Sequence, residues 1–334
     1  MSLLLHAPTT RCESVADVAA ALADAREHGI EPVLDLSPLN RIHIDPMRRI
    51  AWVQPGARWG ELDAATQEHG LAVTGGREPS TGVAGHTLGS GSGWLERRMG
   101  LAADNLRAAR VLTAGGRVVL ASARVNPDLF WALRGGGGSF GIVVELELAL
   151  RPVGPEVLGG MLRWPRERAG EVMRAYRELM AGAPDALCGG LELTSSAVGV
   201  LVLYAGDAER GAEHLRPLRE LAPAVDTVRP MSYCELQSLH AGGDRPVAYL
   251  DALPDAMIDA LADAQPPVLL QPLGGAFGRV GELETAHGHR AAAWGVQADV
   301  PLAGTAPSPE REIRLLETKE RWDPHGVFAP LQDR

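Results

Sequence analysis

Cysteine is scarce in this sequence: three in 334 residues, Cys12, Cys188 and Cys234, widely spaced. With no CxxC pair and no histidine at ligand spacing, the set argues against a disulfide framework or a zinc site, and each is expected to pack as a small buried hydrophobe. Cys234 has the best claim to a role, because Tyr233-Cys234-Glu235 opens a helix. Basic charge is also short. Lys plus Arg number 32 against 42 Asp plus Glu, a formal charge of −10, and no basic stripe appears. A nucleic-acid partner is therefore not expected. Long apolar runs are missing, the longest being strand-sized pieces such as Val198–Leu203, so no membrane span is expected. Met1–Leu5 is apolar without a basic region before it or a small-residue cleavage site after it, and the chain reads as cytoplasmic. What is there, 46% hydrophobic residues with few charge runs, suits a soluble protein with a large core folded as two lobes.

Val15, Val18, Ala19, Leu22 and Ala25 recur at helical spacing between Ser14, placed as an N-cap, and Gly29, placed as the stop. Pro32–Ser37, Arg41–Asp45 and Ile50–Gln54 read as strands, and Trp59–Gly70 as a second amphipathic helix. A hairpin follows, Ala109–Thr113 returning as Arg117–Ala121, then an alternating strand over Ile142–Leu150. This β and α mixture with short connections predicts an α+β fold.

Between the second helix and the hairpin, glycines stand at 75, 76, 82, 85, 89, 91 and 93. Spacing of this kind lets backbone N–H groups approach an anion without Cβ obstruction. A set of tight turns between strands reads equally well from the segment alone, since neither a G-x-G-x-x-G fingerprint nor a P-loop lysine is present. Gly135–Gly138 and Gly141 form a second such loop.

The ordered series Val53-Gln54-Pro55-Gly56-Ala57, Thr81-Gly82-Val83-Ala84-Gly85, Gly93-Trp94-Leu95, Gly100–Leu106 and Asp128–Gly137, with Lys319-Glu320-Arg321-Trp322-Asp323-Pro324 near the end, resembles the berberine-bridge-enzyme-like FAD-linked oxidases of the vanillyl-alcohol-oxidase superfamily. The resemblance implies a PCMH-type FAD-binding lobe from residues 1–152 and 312–334. It implies a substrate lobe from 153–311 whose antiparallel sheet, covered by helices, roofs the flavin. It also implies hydride transfer from a small organic substrate to flavin N5, with electrons passing to oxygen. Carried over residue by residue, the cofactor would meet Pro79, Ser80, Thr81, Gly82, Gly85, His86, Gly89, Ser90, Gly91, Gly93 and Trp94. Asp104 and Asn105 would brace that site, and Gly141, Ile142 and Val143 would approach the adenine.

Two departures qualify the carry-over. Family members carry a Gly-Gly-His loop before the strand at Val33, supplying the histidine that joins the flavin covalently; here only Glu31 and Pro32 separate Ile30 from that strand. Glu78 stands where a second, cysteine linkage would form. The expected FAD is therefore noncovalent. No tyrosine matches the family's suspected base, which leaves Tyr233, His240 and His289 as candidates for acid or base work. His86 reads either as a flavin contact or as a loop histidine packed on a neighbouring carbonyl, Arg134 as pairing with a phosphate or, more simply, with Asp128, and Trp94, Trp131 and Phe140 as core beneath the cofactor loops, with direct flavin contact as the alternative. The alternative function is a flavin-free descendant, a non-redox isomerase, cyclase or binding protein. No metal is expected, and the sequence leaves the oligomeric state open.

Overall fold

A computed structural model describes residues 9–30, 32–239, 248–299, 302 and 304–331, organised around two antiparallel sheets. The five strands of the first run in the order Ile42–Asp45, Ile50–Val53, Ile142–Ala149, Leu106–Leu112, Val118–Ser122. Leu146 and Leu148 of the central strand join Ala109 and Val111 in the first core, while the alternate Glu147 turns outward to meet Arg107 at 2.9 Å. The period of two thus sorts core from solvent.

The helix Val15–His28 forms as its pattern predicts. Ser14 and Asp17 make a reciprocal capping box, Gly29 ends the helix at φ 63°, and Val18, Leu22 and Ala25 face the core. The expected strand over Pro32–Ser37 is cut to Leu34–Asp35, which pairs in parallel with Thr10–Arg11. The Asp35 carboxylate accepts from the Ser37 amide at 2.9 Å and turns the chain there.

In the second sheet the order is Val225–Asp226, Glu156–Pro165, Ala197–Tyr204, Leu187–Leu193, Val268–Pro272, Trp294–Gln297, Ala248–Leu250, with Arg229–Ser232 also on the second strand. Strand parity decides what each face does. Leu162, Val200, Leu191, Leu270 and Val296 point to the side covered by the helices Ala169–Ala181 and Asp255–Asp263. Met161, Leu201 and Cys188 point the other way and pack on Trp94, Leu95 and Met99 of the first lobe. Gly190 carries no side chain where the Trp94 ring passes, and a Cβ there would stand 3.1 Å from it. The sheet therefore lies as a roof over the glycine-rich segment.

Two connections tie the halves of the chain together. The helix Pro309–Trp322 returns to the first lobe, where Lys319 Nζ donates to the Ser139, Phe328 and Ala329 carbonyls and to Asp323. Ala286 is buried in the first core, and Trp131 Nε1 donates to the Leu283 carbonyl at 2.9 Å. The stretch around Leu283–Ala286 thus packs with the first lobe although it lies within the span read as substrate lobe.

Candidate cofactor and active site

Space where a side chain would go separates the two roles of the glycines. At Gly93 a Cβ would stand 2.0 Å from the Gly75 carbonyl, and at Gly91 2.4 Å from Ala102, so these positions exist for close packing. At Gly82 and Gly85 a Cβ would meet nothing within 4 Å, and both residues are exposed. Pro79 and Ser80 continue this open strip. Its backbone is pinned to the helix Trp59–Gln67: Trp59 N–H donates to the Thr81 carbonyl at 3.0 Å and Gly60 N–H to Pro79 at 2.9 Å. Arg58, which the sequence reading missed, pairs its backbone with Gly82 and lays its guanidinium on the Ser80 carbonyl. An approachable glycine backbone with a cation beside it fits a phosphate-bearing cofactor.

The second glycine loop docks on the first, since Gly135 and Gly137 N–H both donate to the Leu88 carbonyl. Nothing in the sequence pairs these loops. Gly137 and Gly138 are open where a Cβ would go, whereas Gly141 sits tight against Val111. Ile142 and Val143 lie in the strand, with Val143 in the core. Ile142 and Val143 are thus strand residues whose side chains build packing, and Gly141 leads into that strand.

Beneath the roof a polar network joins the lobes. Ser92 Oγ accepts from Arg77 at 3.0 Å and from Gln271 Nε2 at 3.0 Å and donates to Glu96 Oε2 at 2.7 Å. Gln271 Nε2 also reaches Glu96 Oε1. Burial pushes the Glu96 carboxyl above the usual range, opposed by Arg77 and by these bonds. Tyr249 joins the face of Gln271 across the sheet, because Gly295 lies opposite both. Burial and the nearby Glu96 push its phenol up to about 12, so it holds its proton.

Beside Tyr249 stands His287, whose Nδ1 lies 2.9 Å from Ser90 Oγ and whose buried Nε2 has no hydrogen-bond partner among the described residues. Burial first, then Arg290, hold the imidazole neutral, well below its ordinary value. Ser90 meets it from a positive φ of 93°, uncommon for a residue with a side chain. His289 stacks on Tyr249 with ring centroids 4.4 Å apart, its Nδ1 2.8 Å from Thr305 Oγ1.

The structure places the remaining candidates as follows. Tyr233 is fully buried beside Asp63, with no face toward the strip. Asp104 does not reach the open glycines; it takes the Arg290 guanidinium at 2.6 and 2.9 Å. Asn105 caps the Met99 and Leu101 carbonyls. Arg134 does not pair with Asp128: it donates to the Glu284 carbonyl at 2.6 Å and covers Phe130, while Asp128 accepts from Trp322 and meets Arg321. His86 Nε2 sits 2.9 Å from the Ser92 carbonyl, the packed alternative, with its ring edge on Trp59. Trp94, Trp131 and Phe140 are core. His240 lies outside the described residues. Arg77, Glu96, Tyr249, Gln271 and His287 were missed because their meeting depends on sheet register and lobe docking, which local pattern does not encode.

Cavities of about 800 Å³ beside Arg97, Asp185 and Trp294, and about 590 Å³ beside Ile30, His325 and Phe328, lie away from the strip. Among the described residues no group of three or more His, Cys, Asp or Glu is placed to hold a metal, and no helix is long and apolar enough to cross a membrane.

Residues 31–122 match the family model described as an FAD binding domain. The chain is 32% identical over 258 residues to (R)-6-hydroxynicotine oxidase of Paenarthrobacter nicotinovorans, covering 69% of this chain and 56% of that one. It is 29% identical over 295 residues to berberine bridge enzyme-like 23 of Arabidopsis thaliana, covering 77% and 55%. It thus spans about half the length of these curated relatives. Among solved structures, a Physcomitrella patens BBE-like 1 variant superposes with a TM-score of 0.85 at 21% identity over 98% of this chain and 92% of that one, a likeness of fold. With the glycine strip, the roofing sheet and these matches in hand, the chain is a relative of the berberine-bridge-enzyme-like FAD-linked oxidases.

Proposed function

We propose that the protein is an FAD-dependent oxidoreductase that binds its cofactor noncovalently and oxidises a small organic substrate between the lobes, with oxygen as electron acceptor. The open backbone at Gly82 and Gly85, beside the Arg58 guanidinium, is the observation that carries this reading. Backbone groups of Pro79–Gly85 would hold the diphosphate. Bound there, FAD supplies a two-electron acceptor. The chain's own residues supply the surroundings. Arg77, Ser92, Gln271 and Glu96 fix one another across the lobe junction. Tyr249 keeps its hydroxyl proton and serves as a hydrogen-bond donor to an oxygen or nitrogen of a bound molecule. His287 Nε2, on a ring fixed by Ser90, is the group that takes or relays a proton. Relatives named (R)-6-hydroxynicotine oxidase and xylooligosaccharide oxidase support a small-molecule substrate.

The flavin-free reading is favoured by one observation, the two-residue connection from Ile30 to Val33. One experiment separates the two. The protein is mixed with excess FAD, desalted, and its visible spectrum recorded before and after acid precipitation. Flavin retained and then released into the supernatant is the expected outcome. Flavin left in the pellet overturns the noncovalent assignment, and no retained flavin overturns the oxidoreductase reading in favour of a non-redox descendant.

A further inference from the structure

The helix Trp59–Gln67 of the first lobe and the helix Tyr233–Gln237 after the roof strands lie against each other. Their contact carries two pairs, each spaced by one helical turn, Trp59 with Asp63 and Tyr233 with Gln237, all four buried. Gln237 Nε2 donates to Asp63 Oδ2 at 3.1 Å and to the Gly76 carbonyl at 3.2 Å. The second bond fixes which end of the amide is nitrogen, because a carbonyl only accepts. Among the described residues, two acceptors of the pair, Asp63 Oδ1 and Gln237 Oε1, are then left with no donor.

One proton removes both defects. Placed on Asp63 Oδ1, it donates to Gln237 Oε1 while the amide donates to Oδ2, closing the two-bond ring a carboxylic acid makes with an amide. A carboxylate there would be a buried charge held by a single amide, the arrangement that low dielectric penalises most. Among the described residues, the ionisable groups coupled to it are Tyr233 and Cys234 on the opposite helix, both kept protonated by burial; Arg77 from the glycine-rich segment acts on Tyr233 and is bonded to Ser92. We infer that Asp63 is a neutral acid forming a proton-dependent latch between the lobes, and that its ionisation loosens the contact beside the cofactor strip.

The direction with pH follows. Burial raises the Asp63 carboxyl from 3.8 to about 7, so its contribution is whole below the usual aspartate range and is lost as pH rises toward neutrality. The inference does not depend on a bound flavin.

Hydrogen exchange of the full chain, without added ligand and corrected for intrinsic rates, tests it. Between about pH 6 and about pH 8, protection of amides 60–67 and 234–239 is expected to fall about tenfold in the wild type. In Asp63→Asn, whose amide N–H donates to Gln237 Oε1 at any pH, protection should stay level. Wild-type protection that does not change, or an Asn variant as pH-sensitive as the parent, overturns the latch. Should the variant fail to fold, carboxyl-carbon NMR titration of the wild type decides: an aspartate titrating near neutrality is expected, and aspartates all titrating below about pH 5 overturn it.

Discussion

Gly85 and Gly93 belong to one segment but answer different demands. Gly85→Ala meets open space in a helical position and is expected to leave thermal stability unchanged or slightly raised, while weakening FAD binding by about tenfold through loss of close backbone approach. Gly93→Ala is expected to lose about 1–3 kcal/mol of stability because its methyl would overlap the Gly75 carbonyl. Denaturant melts and flavin fluorescence titration on both variants check the pair, and the reverse pattern would place the cofactor elsewhere. His287 makes a second prediction. Its imidazole is held neutral far below 6.5, so the stability it contributes is present above that value and lost as pH falls through it. His287→Gln should remove an acid-side slope of up to about 1.4 kcal/mol per pH unit, read from melts at several pH values.

At the scale of elements, two helices carry predictions of different size. Ser14→Ala should cost about 1 kcal/mol by removing the cap of Val15–His28, and Leu22→Ala about 2–5 kcal/mol by opening a cavity. In the returning helix Pro309–Trp322, Lys319→Met leaves Asp323 buried without its cation and should cost about 3 kcal/mol or more. Urea unfolding ranks the three. These elements also mark how far sequence reasoning reaches. Ser14, Gly29 and the apolar spacing between them are local, so the first helix was legible to the residue. One roof strand was legible as the apolar run Val198–Leu203, but its two faces were not, because Leu201 and Val202 differ only in which lobe they touch. The edge strand Ala248–Leu250 holds too few residues to announce itself, and Tyr249 went unread as a site residue. The contact of His287 with Ser90 joins residues 197 apart, a distance no pattern spans.

Across the whole molecule, Arg97 is the bolt between lobes. From the first lobe its guanidinium donates to the carbonyls of Ala183 and Leu187 at 3.1 Å and of Leu273 at 2.5 Å. Arg97→Met strands three buried acceptors, at about 1 kcal/mol each, and should split one cooperative unfolding transition into two as the lobes uncouple. A single transition with an unchanged midpoint would show that apolar packing at Trp94 holds the lobes unaided.

The Leu88 carbonyl, shared by the Gly135 and Gly137 amides, has a consequence in mechanical terms. It rivets two loops into one plate, and the backbone of His287 rests on the same plate at Gly135, where even a methyl would collide. Lengthening any of these three stretches by a single residue would shear the plate.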